Sequence, residues 1–415
     1  MTTETRAAGR PPAPTSRRGL LRLLGPAFVA AVAYVDPGNV AANLTAGAGY
    51  GYLLLWVLVA ANAMAVLVQY LSAKLSVVTG RTLPELLRER LGTPARLGYW
   101  GQAELVAVAT DLAEVIGGAV ALNLLFGTPL LAGGLITGAA SLLLLALHNR
   151  AGVRWFEAAV VAMLLVIVLG FVSGVVLAPP DPGEAAAGLV PRFAGAETVL
   201  LAASMLGATV MPHAIYLHSA VARDHHGAVA AADTRRVLRA TRLDVAGALV
   251  LAGVVNISML LLAASALRGV EGTDTLEGAH AAVLATLGGG AGLLFAIGLL
   301  ASGLASTSVG AYAGAVIMEG LLRVHVPLLA RRAVTLVPAL VVLAAGVDPT
   351  RALVVSQVVL SFGIPFALVP LLRLTGERAL MGEHVNRTST RVAATVAVAL
   401  VVALNAALLY LTFAG

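Results

Sequence analysis

The chain has 415 residues, of which 59% are hydrophobic and only 12% charged, against roughly 25% charged in a soluble globular domain. With a mean hydropathy of +0.92, this composition excludes an ordinary soluble domain and points to a polytopic helical membrane protein. The net charge of +6 and pI near 10.0 do not indicate nucleic acid, because the basic residues lie in short clusters between apolar segments, with few aromatics to stack on bases. No cysteine is present, which removes disulfides and thiolate metal ligands.

Residues 1–18 are rich in Pro, Thr, Ala and Arg and read as a disordered basic tail. They do not read as a signal peptide, since the apolar stretch that follows contains Asp36, lacks a cleavage site and runs on into further apolar segments. A membrane span needs about 20 mostly apolar residues. On that basis eleven spans are predicted, at 23–48 (broken), 51–78, 98–124, 129–147, 155–178, 196–221 (broken), 243–267, 290–320, 333–346, 351–373 and 391–413. Span nine is short as drawn and is expected to start near Arg331. Segment 279–289 reads either as the start of span eight or as a surface helix. The stretch at 81–96 has helical periodicity and reads as a short helix on the cytoplasmic surface.

Lys and Arg concentrate in cytoplasmic loops. With eleven spans and a cytoplasmic N-terminus, 27 Lys and Arg residues fall inside save three: Arg192, Arg268 and Arg351. The expected orientation is therefore N-terminus in, C-terminus out. The broken spans are the first and the sixth. Five spans separate them, an odd number that inverts the second unit. The expected organisation is a tail at 1–18, inverted repeats at 19–180 and 181–375, and a cytoplasmic loop with an added span at 376–415.

The two breaks carry the chemistry. Asp36-Pro37-Gly38-Asn39 interrupts the first span and Met211-Pro212-His213 the sixth. A broken helix at bilayer depth leaves backbone groups unpaired, which is tolerable only around a buried site or a wet cavity. Pro37 removes a donor and Gly38 permits unusual torsions, so unwinding is expected to free the carbonyls of Ala33 and Val35. With the Asp36 carboxylate and the Asn39 amide oxygen they make a hard oxygen set suited to a divalent cation; the alternative is an ordinary kink with Asp36 as a helix cap. Met211 precedes the second break, at Pro212, and Ala208, one turn earlier, offers its carbonyl. A thioether is a poor ligand for Mg²⁺ or Ca²⁺ and a tolerable one for Mn²⁺, Fe²⁺, Co²⁺ or Cd²⁺. His213 and His218 are five residues apart, too wide for two ligands on one helical face, so they read as proton-handling groups or as buried, hydrogen-bonded histidines.

Span three holds Asp111 and Glu114 on one helical face, with Glu104 two turns earlier. Intramembrane carboxylates are costly and are expected to line a polar path or share protons. Arg331 and Arg332 read either as their ion-pair partners or as inside-loop anchors. Gln357, in span ten, reads as a state-dependent metal contact or an interhelical hydrogen bond. No phosphate-binding loop, nucleophile elbow or His-Glu-x-x-His motif is present, so neither ATP-driven transport nor an enzyme is indicated.

Taken together, DPGN at 36–39, TDLAE at 110–114, MPH at 211–213 and YLHSA at 216–220 resemble the natural resistance-associated macrophage protein (NRAMP) family of divalent metal transporters. GLASTSVGAYAG at 303–314, RRAVTLVPA at 331–339 and SQVVLSFGIPFAL at 356–368 follow in the family's order, so the resemblance covers nearly the whole chain. It implies a LeuT-like all-α fold of two inverted five-helix repeats and proton-coupled uptake of Mn²⁺ or Fe²⁺, with no prosthetic group. It implies metal bound by Asp36, Asn39, Met211 and the carbonyls of Ala33 and Ala208, joined by Gln357 in some states. It implies a proton route through Asp36, Asp111, Glu114 and His213, with Glu104 further along. The expected partners are the metal ion, protons and the lipid bilayer, with no nucleic acid and a monomer competent to function. Ala214, Leu304, Ala311 and Ala315 depart from residues common in the family and bear on the polar lining rather than the principal ligands. Two other readings compete: a sodium-coupled amino-acid transporter on the same architecture, and a metal-conducting channel or embedded metalloenzyme.

Overall fold

The structure is a computed structural model that describes residues 25–151, 153–273, 275–324 and 326–414. The tail expected at 1–18 and the start of the first apolar segment lie outside those residues. Every regular element among the described residues is helical. The first apolar segment folds as α1 (Pro26–Val32), one 3-10 turn (Ala33–Val35) and α2 (Pro37–Tyr50). Next come α3 (Leu55–Thr79), α4 (Leu83–Arg90), α5 (Thr93–Phe126), α6 (Leu130–Ala151), α7 (Val153–Leu177) and a short α8 (Pro182–Ala187). The second interrupted segment gives α9 (Ala196–Thr209) and α10 (Pro212–His226). The chain ends with α11 (Ala231–Ala266), α12 (Leu276–Leu287), α13 (Gly289–Leu322), α14 (Leu328–Ala344), α15 (Pro349–Thr375), α16 (Arg378–Met381) and α17 (Thr388–Ala414).

Eight segments are long and apolar enough to cross a bilayer, counting α9 and α10 as one. The expected spans outside that set are the first, interrupted at Asp36; the fourth, on α6; and the ninth, on α14. α14 starts at Leu328, three residues before the Arg331 start expected from sequence. Three local expectations are refined. Segment 279–289 is not the start of span eight but mostly a separate helix with one face exposed, the second of the two alternatives: α12 is ended by Gly288 at φ 88, a conformation that favours glycine. The 81–96 stretch is not one helix. A Thr82–Glu85 capping box starts α4, α4 ends at Arg90, and α5 opens at Thr93. Finally, α11 begins at residue 231, not 243, because its first turns are charged and carry no apolar signature although they are helical.

The buried sixth span forms the centre: 94% of its apolar window is buried, against 28% for α17 at the periphery. Around it, α5 packs against α13 and α15, α2 against α11, and α9 against α15. Small residues permit these approaches, as lipid supplies no hydrophobic drive between helices. A Cβ on Gly117 of α5 would lie 2.0 Å from the Pro37 ring, so α5 and the first break touch backbone to ring. Large apolar side chains such as Leu105, Phe126 and Phe413 instead face outward.

Candidate metal site

Both breaks arise in the same way. The residue before a proline is driven out of the helical region, and Asp36 (ψ 170) and Met211 (ψ 122) are both extended. Each proline also withholds the N–H that a helix would donate to the carbonyl four residues earlier. Those carbonyls belong to Ala33 and Ala208. The Asp36 carboxylate then caps α2, Oδ1 accepting from the Asn39 N–H at 2.7 Å. The helix-cap alternative read from the sequence for Asp36 is thus observed.

The expectation that Val35 contributes a free carbonyl is corrected. Its oxygen accepts from Ser302 Oγ at 2.5 Å, and the neighbouring Tyr34 carbonyl accepts from Asn256 Nδ2 at 2.7 Å. The stated role of Gly38 changes too. It lies inside α2 and is not among the positive-φ glycines. What it provides is room, since a Cβ there would fall 1.7 Å from Gln357 Nε2.

Asn39 joins the two breaks. Its Nδ2 donates to Asp36 Oδ1 at 2.8 Å and to the Ala208 carbonyl at 3.0 Å. Gln357 Nε2 reaches Asp36 Oδ2 at 3.4 Å, while its backbone packs on Gly207, where a Cβ would come within 2.0 Å of the Gln357 carbonyl. Asp36, Asn39, Met211 and Gln357 are all at 0% exposure, so the site is closed to both sides. Two buried oxygens, Asn39 Oδ1 and Gln357 Oε1, accept no hydrogen bond among the described residues. Buried acceptors without donors are costly in protein but become ligands when a cation is present. Among the described residues no three His, Cys, Asp or Glu side chains converge on a metal-sized space. The groups brought together here are the Asp36 carboxylate, the Asn39 and Gln357 amides and the Ala208 carbonyl, with Met211 buried at the second break.

The other ionisable candidates form a chain beside the site. Arg332 Nη1 lies 2.6 Å from Asp111 Oδ1 and 3.9 Å from Glu114 Oε2, and its Nε donates to Ser141 Oγ at 3.0 Å. Arg331 Nη2 donates to Glu104 Oε1 at 2.7 Å. Both guanidiniums are buried, so they are ion-pair partners within α14 and α5 rather than loop anchors. Gly314 makes room for Arg331: a Cβ there would meet Nη1 at 1.9 Å. The two histidines diverge. His213 Nδ1 is 3.3 Å from Thr110 Oγ1, beside Asp111. His218 Nδ1 is 2.7 Å from Gln69 Oε1, and Gln69 Nε2 donates to the Tyr34 hydroxyl at the first break. Sequence reasoning passed over Gln69, although it carries the signal that singled out Gln357: an amide within an apolar run. Of the family departures, Ala214 and Ala311 are buried, and Leu304 and Ala315 half-buried.

A model of the family described as natural resistance-associated macrophage protein-like matches residues 27–411. The divalent metal cation transporter MntH of Mycobacterium tuberculosis is 59% identical over 402 residues, covering 97% of this chain and 94% of that one. The crystal structure of the Eremococcus coleocola manganese transporter, in complex with an aromatic bis-isothiourea substituted compound, superposes with a TM-score of 0.85 at 32% identity, over 94% of this chain and 87% of that one. The structure of MhsT in complex with L-phenylalanine matches at TM-score 0.62 and 15% identity, over 94% of this chain and 99% of that one, a likeness of fold alone.

Proposed function

The chain belongs to the natural resistance-associated macrophage protein family, with a LeuT-like all-α fold, and on that premise we propose that it imports divalent transition metals together with protons. The cargo is Mn²⁺ or Fe²⁺, with Co²⁺ and Cd²⁺ as further substrates. The membrane is the bacterial cytoplasmic membrane, with the N-terminus inside and the C-terminus outside. The observation that carries the reading is the Asn39 amide spanning Asp36 of one break and the Ala208 carbonyl of the other. Its N–H groups occupy the line between two acceptors from different repeats, where a cation would be held. Metal entry then requires Nδ2 to leave and Oδ1 to turn toward the ion. Asp36 supplies the charge and Met211 the soft donor, with the Ala33 carbonyl and Gln357 Oε1 as supporting oxygens. Since the repeats 19–180 and 181–375 each contribute half, rocking one against the other opens the site to either face.

Protons take a separate path. A divalent cation entering beside Asp36 repels a proton on the same carboxylate, and Asp111, Glu114 and His213 lie along the adjoining helices to receive it. Arg332 holds Asp111, and the Glu104–Arg331 pair continues the path along α5. The protein is a carrier, not an enzyme, and needs no prosthetic group; a single copy holds the complete site.

Uptake into proteoliposomes tests this directly. Mn²⁺ entry is expected to saturate, to resist excess Ca²⁺, to be accompanied by internal acidification, and to vanish in Asp36→Ala. Metal entry without proton flux would reduce the protein to a channel. Sodium-driven uptake of labelled amino acids would replace the metal reading altogether.

A further inference from the structure

A second site lies at the end of the molecule where α3 finishes, α11 begins and the segment before α17 crosses. A cavity of about 470 Å³ opens there, lined by four arginines, Arg235, Arg239, Arg242 and Arg387, and by Lys74. One carboxylate, Glu383, shares the lining and is already engaged, Oε2 accepting from Arg235 Nη2 at 2.6 Å. Lys74 is only 7% exposed, and its one hydrogen-bond partner among the described residues is neutral, Asn386 Oδ1 at 2.9 Å. That amide is itself fixed, Nδ2 donating to Thr375 Oγ1 at 2.7 Å. Arg242 stacks over Tyr70, 5.1 Å from the ring centre, which holds its guanidinium at the cavity wall. Among the described residues Arg239 and Arg387 make no ion pair. So concentrated a positive field repels a metal cation and favours a multivalent anion.

We propose that this cavity binds a phosphate-bearing anion, and that its source is the headgroup of an anionic phospholipid. Guanidinium forks match phosphate oxygens in pairs, and basic pockets between spans are the known sites for anionic headgroups. The lipid source is favoured by position. Exposed apolar side chains lie near the basic rim along the same helices: Leu243, next to Arg242, at 59% exposure, and Val392 and Val396, on α17 beyond Arg387, at 57% and 51%. A phosphodiester in the cavity places its acyl chains along that surface. The bound lipid also ties α3 of the first repeat to α11 of the second and to the segment entering α17, so it bears on their relative motion.

The test uses full-length protein in neutral detergent and native mass spectrometry, titrated with phosphatidylglycerol, phosphatidylcholine or inorganic phosphate. The variant is Arg239→Ala/Arg387→Ala, both exposed and remote from the metal site. Phosphatidylglycerol is expected to bind the wild type about 30-fold more tightly than the variant, from about a factor of five to ten per basic residue. Phosphatidylcholine is expected to distinguish the two little, and Arg239→Lys/Arg387→Lys to recover most of the loss. Equal affinity of wild type and variant for phosphatidylglycerol overturns the site. Inorganic phosphate binding as tightly as phosphatidylglycerol, and lost in the same variant, overturns the lipid source. None of these outcomes depends on metal transport, and Mn²⁺ uptake by the variant in phosphatidylcholine vesicles is expected to match the wild type.

Discussion

Arg332 offers the sharpest test of how the interior is held together. Its side chain is at 0% exposure, with Asp111 Oδ1 at 2.6 Å and Glu114 Oε2 at 3.9 Å. At an effective dielectric constant of about 20, the 2.6 Å separation corresponds to a gross attraction of about 6 kcal/mol. Desolvation of the buried charges offsets most of this, so the intact cluster is a modest net contributor. Removing the cation alone is different. Arg332→Met keeps an apolar stem but strands the buried Asp111 carboxylate beside Glu114, and stability is expected to fall by about 3–5 kcal/mol. Adding Asp111→Asn removes the nearer charge, and Arg332→Met/Asp111→Asn is expected to recover about half of the loss. The assay is reversible unfolding in mixed micelles at increasing SDS fraction, followed by near-UV circular dichroism. Two results would refute the reasoning: an Arg332→Met protein as stable as wild type, or a double variant as destabilised as the sum of its parents. Either would mean that the carboxylates do not depend on Arg332 for their compensation.

Gly38→Ala is expected to displace the Gln357 side chain, since the new Cβ would sit 1.7 Å from Nε2; loss of its Oε1 as a supporting oxygen predicts about a tenfold rise in the KM for Mn²⁺, with the fold retained. Met211→Ala is expected to lower the preference for Mn²⁺ over Ca²⁺ by at least about tenfold, read from competition in the uptake assay, while an unchanged ratio would remove the thioether from the selectivity argument. Asp244 Oδ1 and Oδ2 accept the N–H groups of Gly25 and Ala27 at 3.0 and 2.9 Å, capping α1; Asp244→Ala is therefore expected to cost about 1 kcal/mol or more in the same SDS titration.

The interruptions at Asp36 and Met211 were legible because proline inside an apolar run has few explanations. What lay beyond sequence was the allocation of partners. Val35 and Ala33 look equivalent as freed carbonyls until Ser302, far along the chain, is seen to bond the former. Gly38 invites a torsional explanation, and only the placement of Gln357 across the core shows that space was the requirement. For Arg331 and Arg332 the sequence left ion-pair partner and loop anchor both open, because hydropathy counts a charge as exposed; each pairs with a carboxylate on α5. The first turns of α11 failed for the related reason that a helix leaving the membrane loses its apolar pattern without losing its hydrogen bonds.

The paired prolines have a consequence for how such a protein tolerates change. The acceptors at Ala33 and Ala208 are main-chain atoms, so side-chain substitution at those positions leaves them in place. They exist because Pro37 and Pro212, four residues downstream, cannot donate. A survey of single substitutions would therefore report both alanines as tolerant and both prolines as essential, locating each acceptor one helical turn from where it lies. Replacing either proline with a residue that bears an N–H would let the helix close on the acceptor and silence it, without altering any side chain of the proposed site.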